Sequence, residues 1–122
     1  MTRRLFGVVA FASGFMGLRA QQREGNYDIR FEPTAKLQTG TQVPFQITVK
    51  DALRKPLPRA QVLLQIEDKD GLNVQQFPAP EVAPGIYIAK PVFRAPGEWS
   101  VYVEVRRNGA MSARTIQFQV AE

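Results

Sequence analysis

Between Pro96 and Gly109 the chain reads PGEWSVYVEVRRNG, and its side chains change type at nearly every step. Trp99, Val101, Val103 and Val105 share one parity; Glu98, Ser100, Glu104 and Arg106 share the other. Successive side chains of an extended strand point to opposite faces, so this segment reads as a strand with one apolar face and one wet face. Such a strand cannot bury its apolar row alone. It needs a second layer, and the indole in the row asks that layer to cover some ~200 Å² by itself.

The same period recurs along the chain. Tyr27, Ile29 and Phe31 alternate within Asn26–Pro33, and Val43, Phe45, Ile47 and Val49 alternate within Thr41–Lys50. Val62, Leu64 and Ile66 follow in Ala60–Glu67, and Ile116, Phe118 and Val120 close the series. Ile86–Phe93 is apolar on both parities, with Tyr87, Ala89 and Phe93 on one and Ile86, Ile88 and Val92 on the other. Turn residues separate these runs: Gly40, the segment Asp68–Asn73, Arg94–Gly97, and Asn108-Gly109, which suits a type I′ hairpin. Asp51–Arg59 reads as a proline-rich, charged connection, and Val74–Gly85 as a short strand followed by an irregular loop. No long segment carries a 3.6-residue apolar period.

About seven one-faced strands in roughly a hundred residues predict an all-β fold, an immunoglobulin-like antiparallel β-sandwich. The sheet holding Trp99, Val101 and Val103 is expected to pack on one holding Val43, Phe45, Ile47 and Val49, with Tyr87 and Phe118 completing the core. Residues 40–122 are assigned to this sandwich and residues 21–39 to an N-terminal strand and lead-in.

The first twenty residues read as an address. Arg3 and Arg4 precede an apolar run from Leu5 to Leu18, and Leu18-Arg19-Ala20 ends it on a small residue. This is the layout of a secretory signal peptide cleaved after Ala20. The run is shorter than the ~20 apolar residues a bilayer core requires, so an inner-membrane anchor at residues 5–18, left uncleaved, is the alternative. An exported protein, periplasmic or extracellular, is the expectation.

Chemistry is constrained by what the sequence lacks. It has no cysteine and no histidine. Disulfides, thiolate metal sites, imidazole bases and Ser-His or Cys-His nucleophile pairs are thereby excluded. The formal charge of +5 weakens as evidence for a polyanion partner, because three of the 16 basic residues lie in the leader and the remainder nearly balance the 11 acidic ones. No nucleic-acid partner is expected. Asp68-Lys69-Asp70-Gly71 has the front half of a calcium loop without the closing glutamate, and reads as a turn. Glu98 and Glu104 stand ~20 Å apart along one strand, too far to act on one bond. No enzyme activity, cofactor or metal site is predicted.

The stretch APGIYIAKPVFRAPGEWSVYVEVRRNG, Ala83–Gly109, combines Gly-x-Tyr-x-Ala with Pro-Gly-x-Trp-x-Val-x-Val and a short turn. With GTQVPFQITVKDALRKPLPRAQVLLQIED upstream, it resembles the YtkA-like and FixH-like family of small exported bacterial domains over about Gly40–Val120. The resemblance implies an immunoglobulin-like fold and a cell-envelope setting, in some members as accessory factors for copper or cytochrome-oxidase assembly. Copper handling calls for His, Cys or clustered Met, and beyond the leader only Met111 is present.

The expected function is therefore a non-catalytic exported module that contacts an envelope protein through a sheet face or strand edge; the alternative is a periplasmic metal or oxidase-assembly accessory protein. Ile86, Ile88 and Val92 form the candidate contact strip, with burial under the Val74–Pro84 segment as its other reading. The basic residues of Arg54–Arg59 with Arg106, Arg107 and Arg114 serve solubility and edge protection, or meet anionic lipid or an acidic protein.

Overall fold

The computed structural model describes residues 23–122; the leader and its cleavage point lie outside the described residues. Nine strands follow one another: β1 (Arg23–Glu24), β2 (Asp28–Pro33), β3 (Phe45–Lys50), β4 (Gln61–Asp68), β5 (Val74–Pro78), β6 (Glu81–Ala83), β7 (Ile86–Ala89), β8 (Gly97–Arg107) and β9 (Ala110–Val120). They form two sheets, one ordered β2-β3-β7-β6 and the other β1-β9-β8-β4-β5. Every ladder between these strands is antiparallel except the two-residue ladder of β1 on β9. This is the immunoglobulin-like arrangement: β2, β3, β7 and β6 take the A, B, E and D places, and β9, β8 and β4 take G, F and C, with β5 beside C.

The alternation sets the layers. The apolar parities of β3 and β8 lie in different sheets, and both face inward. Val43, Phe45, Ile47, Val49, Tyr87, Val101, Val103 and Val105 are all fully buried. Trp99 is 1% exposed. Its Nε1–H donates to the Ala95 carbonyl at 2.9 Å, and its ring meets Phe93 edge-on at 5.2 Å. The indole thus fills the core without leaving its one polar atom unpaired, which is the condition for burying it.

The β8–β9 hairpin pairs continuously from Gly97↔Val120 to Arg107↔Ala110. Its two turn residues, Asn108 and Gly109, have φ of 51° and 78°. Positive φ at both central positions is what a type I′ turn requires, and its twist matches that of the strands it joins.

Two local expectations are corrected, and one connection carries a core residue that the sequence did not announce. Val74–Gly85 is a pair of short strands, with β5 in one sheet and β6 in the other. The chain crosses between layers at Ala79, which is buried and donates its amide to the Val62 carbonyl at 3.0 Å. Pro78 and Pro80 flank the crossing, where β5 and β6 end at the sheet edges and a missing amide hydrogen is tolerated. Phe118, expected in the core, is half-buried; its ring touches Phe31 and Phe45, but β9 lies toward the margin of its sheet, where the facing layer ends in β2. Leu57, inside the proline-rich connection, is a core residue at 3% exposure. The connection folds back so that the Leu57 amide bonds the Val49 carbonyl.

Candidate functional site: an open strand edge beside a groove

The predicted contact strip falls on the outer side of the four-stranded sheet. Ile86 and Ile88 share the outward parity of β7, opposite Thr48 and Gln46 of β3. Val92 lies past the end of that strand, bridged to Gln42. All three are half-buried. The large apolar side chains that stand most open are elsewhere: Leu53, Leu72, Val74 and Val82. The segment offered as cover for the strip contributes β6, which pairs with the edge of β7.

A feature that sequence reasoning missed lies at the margin of the other sheet. The chain holds the outer edge of β9 at both ends. β1 pairs with Ala110 and Met111, and at the far end Ala121 donates to the Leu37 carbonyl and accepts from the Thr39 amide. Between these points the chain leaves β9 to run as β2 in the opposite sheet. Among the described residues, Ala113–Gln119 therefore has a backbone partner on one side only, in β8.

Side chains span part of the gap. The Ser112 hydroxyl donates to the Gly25 carbonyl at 2.7 Å and accepts from the Tyr27 amide at 3.2 Å. The Arg114 guanidinium donates to the Ile29 carbonyl at 2.8 Å. Beyond these bridges a groove of about 810 Å³ opens, walled by Tyr27 and β2, by Gln46, Thr48 and Lys50 of β3, and by Ala113, Arg114 and Ile116 of β9. Its charges are mixed: Asp28 and Arg30 form a pair at 3.2 Å, and Glu32, Lys50 and Arg114 stand nearby. A cationic side chain beside an open edge blunts indiscriminate pairing and leaves the edge available to a partner that can displace or accommodate it.

The remaining polar groups of note serve local structure. Asp68 accepts the Leu72 amide and the Asn73 side-chain amide, the latter at 2.6 Å, and its carboxyl is held below the usual range chiefly by that Asn73 bond. The calcium-loop resemblance is thus a turn whose carboxylate is already engaged. Tyr102 is pushed upward by burial first and by its bond to Glu104 second. Among the described residues no three His, Cys, Asp or Glu side chains gather as a metal centre would require.

Solved structures show the same architecture. A DUF4426 family protein from Pseudomonas aeruginosa PAO1 superposes with a TM-score of 0.57 at 15% identity, over 82% of this chain and 94% of that one. A DUF4785 family protein from Legionella pneumophila gives 0.57 at 10% identity over 79% of this chain, which spans only 28% of that longer one. The ZirS C-terminal domain gives 0.53 at 15% identity, over 98% of this chain and 85% of that one. What they share with this chain is a fold. No family model matches the sequence, and neither does any curated protein.

Proposed function

We propose that the chain is a non-catalytic, exported immunoglobulin-like module that binds an envelope protein by strand addition at the outer edge of β9. The observation that carries this reading is the interrupted pairing of that edge, held at Ala110–Met111 and at Ala121 and, among the described residues, open between. Main-chain hydrogen bonds of an added strand supply affinity, and side-chain pockets at alternate positions supply selectivity. The groove beside Ile116 offers such pockets. The likeness of Ala83–Gly109 to YtkA-like and FixH-like domains, with the arginine-led apolar leader, supports the envelope setting.

A photo-crosslinking residue placed at Gln117, on the open edge, is expected to trap one discrete protein in intact envelopes. The same residue at Gln76 on β5 is expected not to trap it, and Ile116→Glu is expected to abolish the adduct. Equal labelling from both positions, or none from Gln117, overturns strand addition. Export has its own readout: N-terminal sequencing should begin at Gln21, and recovery of Met1 in a cytoplasmic fraction refutes it.

A further inference from the structure

At one end of the sandwich the β3–β4 connection, the β6–β7 turn and the β8–β9 turn come together, and their charge is unused by the strand-edge reading. Arg59, Arg106 and Arg107, with Gln61 and Asn108, line a hollow of about 450 Å³ beside the hairpin tip. Gln61 and Arg106 are register partners on β4 and β8, so they form its rim side by side. Arg106 is neutralised by Glu104. Among the described residues, neither Arg59 nor Arg107 has a carboxylate within ion-pairing distance.

The acids of the two connections, Glu81 and Asp51, direct their oxygens to backbone amides. Glu81 accepts the Arg59 amide at 3.1 Å through one oxygen and the Gly85 amide at 3.2 Å through the other. Asp51 accepts the Leu53 and Lys55 amides through Oδ1. Among the described residues the two guanidinium groups at the hollow are therefore not ion-paired, and both are available to an arriving anion.

The backbone here is also unusual. Among the described residues three non-glycines have positive φ: Arg54 at 66°, Arg59 at 55° and Asn108 at 51°. All three belong to connections at this end. Asparagine tolerates the left-handed region, whereas arginine gains nothing from it. Arg59 is kept there by the bond from its amide to Glu81. Strain retained in a short loop is found disproportionately where a ligand is held.

We infer that this hollow binds an acidic segment of a protein partner, with its carboxylates on Arg59 and Arg107. A guanidinium presents a planar fork that matches a carboxylate in two bonds. The volume exceeds what one small oxyanion fills, and the Gln61 and Asn108 side-chain amides add donors and acceptors suited to the peptide groups beside those carboxylates. A concave site takes a side chain inserted into it, whereas a flat lipid surface reaches only its rim. The site is separate from the β9 edge, and either can fail without the other.

The test uses the full chain and a fluorescein-labelled hexaglutamate peptide, read by anisotropy at low salt. Saturable binding is expected, weakened about tenfold or more by Arg59→Gly combined with Arg107→Gln. Arg59→Gly removes the guanidinium while suiting a φ of 55°, so folding is preserved. Arg107→Lys keeps the charge but not the fork, and is expected to weaken binding several-fold on its own. Lys36→Gln with Lys90→Gln, at the opposite end, should leave it unchanged. Three results overturn the inference: equal binding of a hexaglutamine peptide, arginine-dependent binding of inorganic phosphate as tight as the peptide's, or arginine-dependent binding to phosphatidylglycerol vesicles without binding of the peptide.

Discussion

Tyr87 and Leu57 are joined across 30 residues of chain: the buried tyrosine hydroxyl donates to the Leu57 carbonyl at 2.7 Å. The same oxygen accepts the Ala60 amide at 3.0 Å. One side chain from β7 thus satisfies two backbone groups of the connection that leads to β4. The connection has no regular structure of its own, so this bond fixes where Leu57 enters the core and where Arg59 stands above it. Tyr87→Phe removes the oxygen and leaves a buried carbonyl and an amide without a partner. It is expected to destabilise the domain by about 1–3 kcal/mol, read as a lower urea midpoint at unchanged slope.

Gly85 meets the same connection from the other side. Its φ is 78°, and a Cβ placed there would lie 2.8 Å from the Pro56 Cβ and 3.0 Å from the Val49 carbonyl oxygen. Both the backbone conformation and the space demand glycine. Gly85→Ala is expected to cost more than about 1 kcal/mol and to lower Tm, whereas Gly40→Ala, with nothing within 4 Å of its Cβ, pays only for its φ of 82°. The comparison of the two variants by thermal unfolding separates crowding from backbone strain.

Parity was enough to place β3, β4 and β8, because each has one face covered by apolar side chains and one face wet. It could not place Leu57, whose burial comes from a loop folding back on Val49, with no period to announce it. Nor could it show that the prolines of Val74–Gly85 mark a crossing between sheets; prolines at sheet edges and prolines in loops look alike in a sequence. Phe118 illustrates a further limit. Alternation tells which face a residue is on, but the extent of the opposing sheet decides how deeply it is covered. The open edge of β9 and the hollow at Arg59 are both invisible for the same reason: each depends on which distant segment does or does not lie alongside.

Alkaline pH should act on the fold through its tyrosines. Tyr87 and Tyr102 are both raised above the ordinary tyrosine value, each chiefly by burial. A phenol that holds its proton more tightly when folded contributes stability that is fully present below the unfolded pKa of about 10 and is lost as pH climbs through the folded value. Unfolding midpoints measured upward from neutral pH should therefore hold steady and then fall beyond the ordinary tyrosine range. Tyr102→Phe should make that fall shallower, since it removes one of the two groups; an unchanged slope would show that Tyr102 ionises alike in both states.

Trp99 offers the most direct measure of how far the two sheets depend on one side chain. It is the sole tryptophan of the chain, it is buried, and no disulfide assists in holding the layers together. Trp99→Ala leaves a cavity against Phe93 and is expected to cost roughly 3–5 kcal/mol, a large share of what a domain of this size has. Trp99→Phe keeps most of the volume but orphans the Ala95 carbonyl, which now accepts the indole N–H, and should cost less. Intrinsic fluorescence gives the complementary readout: the native emission should be blue-shifted, with a single cooperative red shift in urea. A native spectrum already at the solvent-exposed position would contradict a core built around this ring.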